Sequence, residues 1–190
     1  MRVIAGSARG RRLAAPKGKG TRPTPDRVRE ALFSTLFSMA APEIVGARVL
    51  DLFAGTGALG IEALSRGAAH STFVEQDRGT AALLATNLHT VAGADTELLQ
   101  MPVARALAQL DGGAPFDIVF ADPPYDLELL QPTVDALVQH ALVSADGLVV
   151  CEHGSRQKPP AAPSGWAAGK TRSYGDVALT FFQVDKGDQA

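Results

Sequence analysis

The chain has 190 residues, 46% of them hydrophobic and 20% charged, which is typical of one folded globular domain rather than a disordered or fibrous chain. The sequence shows no targeting peptide and no run of about 18 apolar residues able to span a membrane, so we expect a cytoplasmic protein without membrane contact. The single cysteine, Cys151, excludes an intramolecular disulfide and a cysteine metal cluster.

The net charge of -2 is distributed unevenly along the chain. Residues 1–30 contain nine basic and two acidic residues, a net charge of +7 that leaves -9 for the remainder. A basic segment on an acidic body favours a polyanionic partner such as a nucleic acid. The alternative is an exposed basic tail that is only partly ordered and has no partner.

The first elements are short. Residues 3–6 and 12–14 are apolar runs that predict a small N-terminal hairpin, followed by a loop rich in glycine and proline. A helix is predicted over residues 25–39, because Thr24 and Pro25 form a typical helix start and apolar residues then recur at helical spacing.

From residue 47 onward, short apolar strands alternate with helices. The patterns predict strands at residues 47–52, 71–75, 96–100, 116–121 and 147–152, and helices near 57–66, 78–92, 103–110 and 128–141. The last residues predict a terminal hairpin around Gly175 and Asp176, whose final strand runs antiparallel. Repeated βα units require a mostly parallel sheet, so the predicted fold is a doubly wound α/β fold with seven strands.

The sequence DLFAGTGALG, which follows the first strand, contains the pattern G-x-G-x-x-G. Gly55 and Gly57 let a ligand approach the main chain, and Glu75 at the end of the second strand is placed to accept hydrogen bonds from ribose hydroxyls. NAD and S-adenosylmethionine both fit this pattern. Asp51 favours the amino group of a methionine moiety over a pyrophosphate, and Phe53 supports the same choice. Asp51 acting only as a cap of the loop is the alternative.

The sequence FDIVFADPPY brings a second polar turn to the same edge of the sheet. Its two prolines have no backbone N–H, so Asp122 and the Pro123 carbonyl form an acceptor pair that Pro124 holds stiffly. Such a pair fits the exocyclic amine of a nucleobase, and Tyr125 offers a flat face for stacking the base. Methyl transfer to this amine would depend on the positioning of two bound reactants and would need no metal ion.

Together, the sequences DLFAGTGALGIEALSRGA, FVEQD, FDIVFADPPY and TRPTPDRVREALF resemble the bacterial methyltransferases that modify the N2 amine of a guanine in 16S ribosomal RNA. The resemblance implies a Rossmann-like methyltransferase fold and S-adenosylmethionine as the cofactor. It further implies a monomer that acts on 16S rRNA in an assembling 30S subunit with ribosomal proteins. The expected domains are a basic RNA-binding extension, residues 1–24, and a methyltransferase domain, residues 25–190.

The resemblance also assigns residues to the two ligands. Such enzymes often place Asp or Asn after the third strand, where this chain has Gln100, Met101 and Pro102, so the cofactor adenine is expected to contact Gln76 or Met101. Expected RNA contacts in the extension are Arg9, Arg11, Arg12, Thr21, Arg22 and Thr24. Arg27 and Arg29 are interpreted either as further contacts or as solvated helix charges.

Three other functions stay open from the sequence alone. An NAD(P)-linked reductase would leave the Asp-Pro-Pro-Tyr turn unexplained. A non-catalytic RNA-binding assembly factor would have little reason to keep Asp51, Glu75 and Asp122. An amino-methyltransferase acting on adenine or cytosine of another RNA or DNA would share both motifs.

Overall fold

A computed structural model describes residues 1–15, 25–39, 42–124 and 127–185. The predicted site residues Thr21, Arg22, Thr24 and Tyr125 lie outside this part of the chain, so their roles stay predictions. The helices are α1 (Asp26–Ser38), α2 (Ala58–Ser65), α3 (Arg78–Leu88), α4 (Val103–Leu110) and α5 (Leu130–Gln139). The strands are β1 (Arg48–Leu52), β2 (His70–Val74), β3 (Asp95–Leu99), β4 (Phe116–Ala121), β5 (Val143–Gly154), β6 (Trp166–Ala168), β7 (Arg172–Tyr174) and β8 (Val177–Val184).

One mixed sheet organises the fold, in the order β3-β2-β1-β4-β5-β8-β6, with β7 also paired to β8. Strands β3, β2, β1, β4 and β5 are parallel, whereas β8 runs antiparallel to β5. Apolar residues of α1 and α2 pack on one face of the sheet, and those of α4 and α5 pack on the other. The prediction of a doubly wound α/β fold is therefore confirmed.

The predicted number of seven strands is wrong, because the described residues already form a sheet of eight. β8 is long enough to pair with two short strands along the same edge, β6 near its end and β7 near its start. A strand of three residues such as β6 shows no readable alternation, which is why its sequence predicted nothing. The remaining differences are at element ends: α3 gives way to a 3₁₀ turn at His89–Val91, and β5 begins at Val143, four residues before its predicted start.

Residues 1–15 form the predicted N-terminal hairpin. Arg2 and Arg12 make an antiparallel bridge, and the Val3 N–H donates to the Arg11 carbonyl at 3.0 Å. Val3, Ala8 and Leu13 are buried in a cluster with residues of α2, α3 and β2, so these fifteen residues are not an exposed tail.

Buried polar side chains anchor the hairpin to the domain. Glu62 of α2 accepts hydrogen bonds from the N–H groups of Ile4, at 2.7 Å, and Ala5, at 3.0 Å. Ser65 Oγ accepts the Ala8 N–H at 2.9 Å. Arg29 is fully buried and donates to the Arg2 carbonyl at 2.6 Å, so both interpretations of Arg29, as an RNA contact or a solvated charge, are wrong.

Candidate active site

The carboxyl ends of four parallel strands meet at one edge of the sheet. Leu52 pairs with Val74 on one side and with Ala121 on the other, and Ala121 pairs with Cys151. The glycine loop, Glu75, Asp122 and Glu152 follow these paired residues directly. The two predicted motifs are thus brought together, as expected for strands of equal direction.

The glycines of the motif differ in their surroundings. A Cβ at Gly57 would collide with Leu84, and a Cβ at Gly60 would collide with Phe73, so these two glycines permit close packing of α2. At Gly55 a Cβ would find only the Phe53 carbonyl oxygen, 3.8 Å away. Gly55 is therefore the position where a ligand can approach the main chain. Phe53 itself has a left-handed backbone, with φ of 57°, which is uncommon outside glycine and concentrates at functional sites.

The carboxylate of Glu75 is fixed by two main-chain N–H groups, one from the glycine loop and one from the start of α3. Its Oε2 accepts the Gly55 N–H at 3.0 Å, and its Oε1 accepts the Asp77 N–H at 2.7 Å. The side chain is half-buried. Each carboxylate oxygen has a second acceptor site, so a fixed Glu75 can still accept two ribose hydroxyls.

Asp51 is 2% exposed and accepts the Gly60 N–H at 2.9 Å. Burial raises the pKa of Asp51 to about 8; the hydrogen bond from Gly60 opposes this shift, and the negative charges of Asp122 and Glu75 add to it. The bond to Gly60 is the capping contact considered from the sequence. This hydrogen bond uses one carboxyl oxygen of Asp51. A cation bound near the other oxygen would lower the pKa of Asp51 and ionise the carboxyl group.

The Asp-Pro-Pro turn begins where β4 ends. Asp122 is half-buried, Pro123 is buried and Pro124 is exposed. Glu152 was not predicted as a site residue, but it directly follows Cys151, the β5 partner of Ala121, at the same edge of the sheet. The sequence did contain a signal for it, because the strand predicted at residues 147–152 ends on this carboxylate.

The residues expected near the cofactor adenine lie on adjacent strands. Val74 pairs with Leu99, so Gln76 and Met101 sit side by side beyond the ends of β2 and β3. Met101 is half-buried and Gln76 is exposed. The Met101 N–H donates to the Leu99 carbonyl at 3.1 Å, and the Met101 side chain packs, partly buried, against the core of the sheet.

The basic residues of the hairpin are exposed but not equivalent. Arg9 and Arg12 lie on its outer surface, whereas Arg11 donates through Nη1 to the Thr90 carbonyl at 2.7 Å. Arg11 is thus tied to the end of the α3 region.

The cysteine does not supply a nucleophile. Burial raises the pKa of the Cys151 thiol to about 12, which keeps it protonated and unsuited to nucleophilic attack.

Within the described ranges, no three histidine, cysteine or acidic side chains are grouped so that they could hold a metal ion. No helix in the same ranges is long and apolar enough to cross a membrane.

A family model described as "Conserved hypothetical protein 95" matches residues 1–183. The chain belongs to this family. Ribosomal RNA small subunit methyltransferase D of Escherichia coli (strain K12) is 40% identical over 183 residues, covering 96% of this chain and 89% of that protein. Putative rRNA methyltransferase YlbH of Bacillus subtilis (strain 168) is 35% identical over 187 residues, covering 96% of this chain and 98% of that protein. The membership predicted from the motifs is confirmed.

A solved structure of the "Putative methyltransferase yhhF from Escherichia coli" has a TM-score of 0.84 and 36% identity, and the match covers 97% of this chain and 98% of that one. A putative RNA methyltransferase from Pyrococcus horikoshii has a TM-score of 0.68 at only 20% identity, with 90% and 93% of the two chains covered, and so supports the fold alone. The yhhF structure thus shares this fold over nearly the whole chain.

Proposed function

We propose that the chain is an S-adenosylmethionine-dependent methyltransferase that methylates the N2 amine of a guanine in 16S rRNA. The observation that carries the proposal is the placement of the Asp122-Pro123 acceptor pair and the glycine loop with Glu75 at one edge of the sheet. The names of the relatives, an rRNA small subunit methyltransferase and a putative rRNA methyltransferase, support an rRNA substrate.

The residues at this edge fit S-adenosylmethionine better than a dinucleotide. Glu75 has acceptor capacity for the ribose, Gly55 is open to a ligand, and Gln76 and Met101 flank the expected place of the adenine. Asp51 is buried at the glycine loop, which also contacts Glu75. These acids would repel a pyrophosphate, whereas the ammonium group of a methionine moiety would ionise Asp51 and pair with it. When bound, S-adenosylmethionine supplies an electrophilic methyl group on its sulfonium.

Asp122 and Pro123 have the task of orienting the amine. The Asp122 carboxylate and the Pro123 carbonyl accept its two hydrogens, which turns the nitrogen lone pair toward the neighbouring cofactor site. Two reactants held in line react with a much smaller entropic barrier than two free ones. The carboxylate also stabilises the positive charge that develops on the nitrogen, and the proton then leaves to Asp122 or to water. Tyr125 is proposed to stack the base.

The position of Glu152 favours guanine over adenine and cytosine as the target base. Glu152 follows Cys151, the β5 partner of Ala121, and so lies on the strand next to the one that Asp122 follows. Guanine offers two adjacent donors on its Watson–Crick edge, the N1–H and the N2 amine, whereas adenine and cytosine have a ring acceptor beside their amine. A pair of neighbouring carboxylates therefore matches guanine.

The extension, residues 1–24, is proposed to hold the RNA backbone and residues 25–190 to form the catalytic domain. Arg9 and Arg12 are exposed and positively charged, as phosphate contacts require. Arg22, with Thr21 and Thr24, is proposed to act near the site. The protein is proposed to act as a monomer on 16S rRNA in an assembling 30S subunit.

Small subunits from a strain lacking the gene provide the direct test. Incubation with the protein and S-adenosylmethionine should place one methyl group on a guanine N2, detected by mass spectrometry of the digested rRNA. A methyl group on an adenine amine, or none at all, would contradict the proposal.

The base choice is tested with rRNA carrying 2-aminopurine in place of the target guanine, because 2-aminopurine keeps the amine but has an acceptor at N1. The wild type should prefer guanine, and Glu152→Gln should narrow this preference by about tenfold or more, since an amide can donate to the N1 acceptor. Glu43→Gln, an exposed change in the loop before β1, is the matched control. An equal preference in wild type and Glu152→Gln would remove Glu152 from base recognition.

A further inference from the structure

Asn87 is a buried side chain whose hydrogen bonds join two functional segments. It lies in the last turn of α3 and is 2% exposed. Its Oδ1 accepts the Ala14 N–H at 2.8 Å, and its Nδ2 donates to the Ala14 carbonyl at 3.0 Å and to the Thr56 carbonyl at 2.9 Å. Both amide hydrogens and the amide oxygen are therefore used.

The two segments are the base of the extension and the glycine loop. Ala14 is eight residues before Arg22 in the sequence, and Thr56 stands between Gly55 and Gly57. The Gly55 N–H in turn donates to Glu75. A continuous series of hydrogen bonds and one peptide unit thus connects Ala14 with the carboxylate proposed to bind the ribose.

Two other anchors of the hairpin, Glu62 and Ser65, act on a different side of it, whereas Arg11 is tied to Thr90 near the end of α3. Glu62 binds Ile4 and Ala5, and Ser65 binds Ala5 and Ala8, so both anchors join the hairpin to α2. Asn87 instead joins the hairpin to the glycine loop. Thr56 Oγ1 also approaches Met1 Sδ at 3.9 Å, which is a weaker link between the same two segments. Replacing Ser65 therefore weakens docking of the hairpin on α2 and leaves both links to the glycine loop in place.

We propose that Asn87 is a positioning residue that couples RNA binding by the extension to cofactor binding at the glycine loop. The proposal takes its two ligands from the proposed function. Breaking any one of these hydrogen bonds would leave a buried polar group without its partner, which costs free energy. Movements of the glycine loop and of Ala14 are therefore linked. A ligand that fixes one segment lowers the ordering cost of the other, and the effect is reciprocal.

The first test measures S-adenosylmethionine affinity by calorimetry, without RNA and with a small-subunit rRNA transcript. For the wild type, RNA should tighten cofactor binding by about fivefold or more, the lower end of typical coupling factors. Asn87→Leu, of similar size, should reduce this factor to about one. Ser65→Ala, which weakens hairpin docking without touching the glycine loop, should keep it. Full coupling in Asn87→Leu, or equal loss in both variants, would overturn the proposal.

The second test needs no variant and so does not depend on Asn87→Leu folding. Saturating S-adenosylmethionine should slow hydrogen exchange of the Ala14 amide several-fold, because this N–H is bound by Asn87. The Ala8 amide, bound by Ser65, is the internal control and should change much less. Equal responses of the two amides would overturn the proposal.

The outcomes also separate this inference from the proposed function. If the wild type methylates the rRNA but shows no coupling, only the role of Asn87 fails. If the protein binds RNA and cofactor with coupling but leaves guanine N2 unmethylated, only the proposed function fails.

Discussion

The cofactor half and the base half of the sheet edge treat their carboxylates differently. In the cofactor half, Asp51 and Glu75 accept main-chain N–H groups of the glycine loop and of the residues that follow it. In the base half, two prolines follow Asp122, so the turn offers no N–H at positions 123 and 124. Main-chain donors thus orient the carboxylates of the cofactor half, whereas the turn of the base half supplies no main-chain donor at the two positions after Asp122.

The largest expected effect is in the base half. Asp122→Ala should lower the rate of methyl transfer by about a hundredfold or more, because it removes a group that orients and stabilises the reacting amine. S-adenosylmethionine affinity should change little. Single-turnover methylation of small subunits, with calorimetry alongside, measures both. A rate close to that of the wild type would refute the assigned role.

In the cofactor half, Glu75→Ala should weaken S-adenosylmethionine binding by about 1.5 to 3 kcal/mol, the usual effect of losing a charged hydrogen-bond acceptor. The loss includes the support that Glu75 gives to the Gly55 N–H. Asp77→Ala, which removes the cap of α3, is a control for damage to the neighbouring helix. Calorimetry that detects micromolar NADH binding and no S-adenosylmethionine binding would show that this half of the site binds a dinucleotide, and would contradict the proposed cofactor.

Asp51 should make stability depend on pH. Its folded pKa of about 8 lies above the ordinary value of 3.8, so the folded state holds this proton where the unfolded state has lost it. The free energy of unfolding should therefore fall as pH rises between about 4 and 8, by up to about 1.4 kcal/mol per unit from this group, and level off above. Urea titrations of wild type and Asp51→Asn should diverge over this window. Parallel curves would mean that Asp51 is ionised in the folded protein.

The smallest expected effect concerns the outer surface of the hairpin. Replacing Arg9 and Arg12 together by Glu should weaken rRNA binding and flatten the plot of log affinity against log salt, by about 0.7 to 0.9 for each phosphate no longer neutralised. Cofactor affinity without RNA should be unchanged. Arg11→Glu is the comparison, because Arg11 also binds the Thr90 carbonyl and its replacement disturbs structure as well as charge. An unchanged salt slope would exclude both arginines from RNA contact.

Much of this arrangement was predictable from the sequence because parallel strands buried on both faces are nearly uninterrupted apolar runs. FDIVFA and RVLDL show this pattern, and each ends on the residues that form the site. Since parallel strands of one sheet place their carboxyl ends at one edge, the positions of Glu75, Gly55 and Asp122 followed without any tertiary contact being known.

The residues that the sequence did not predict are polar groups whose partners are distant in the chain. Arg29 looks like a solvated helix charge until the hairpin, 27 residues away, covers it. Asn87 is a single polar residue at a helix end, and its partners are 73 and 31 residues away. Such contacts are set by tertiary packing, which local patterns do not contain.

The burial of Cys151 has a practical consequence for experiments. It sits in β5 between Ala121 of β4 and Thr180 of β8, with no exposed surface. A thiol-reactive dye can reach it only when these central strands separate, so its labelling rate reports opening of the sheet. The sequence has no other cysteine. A cysteine introduced at the exposed position of Arg9 would therefore be labelled selectively in the folded protein, giving a fluorescent probe on the hairpin against a silent background.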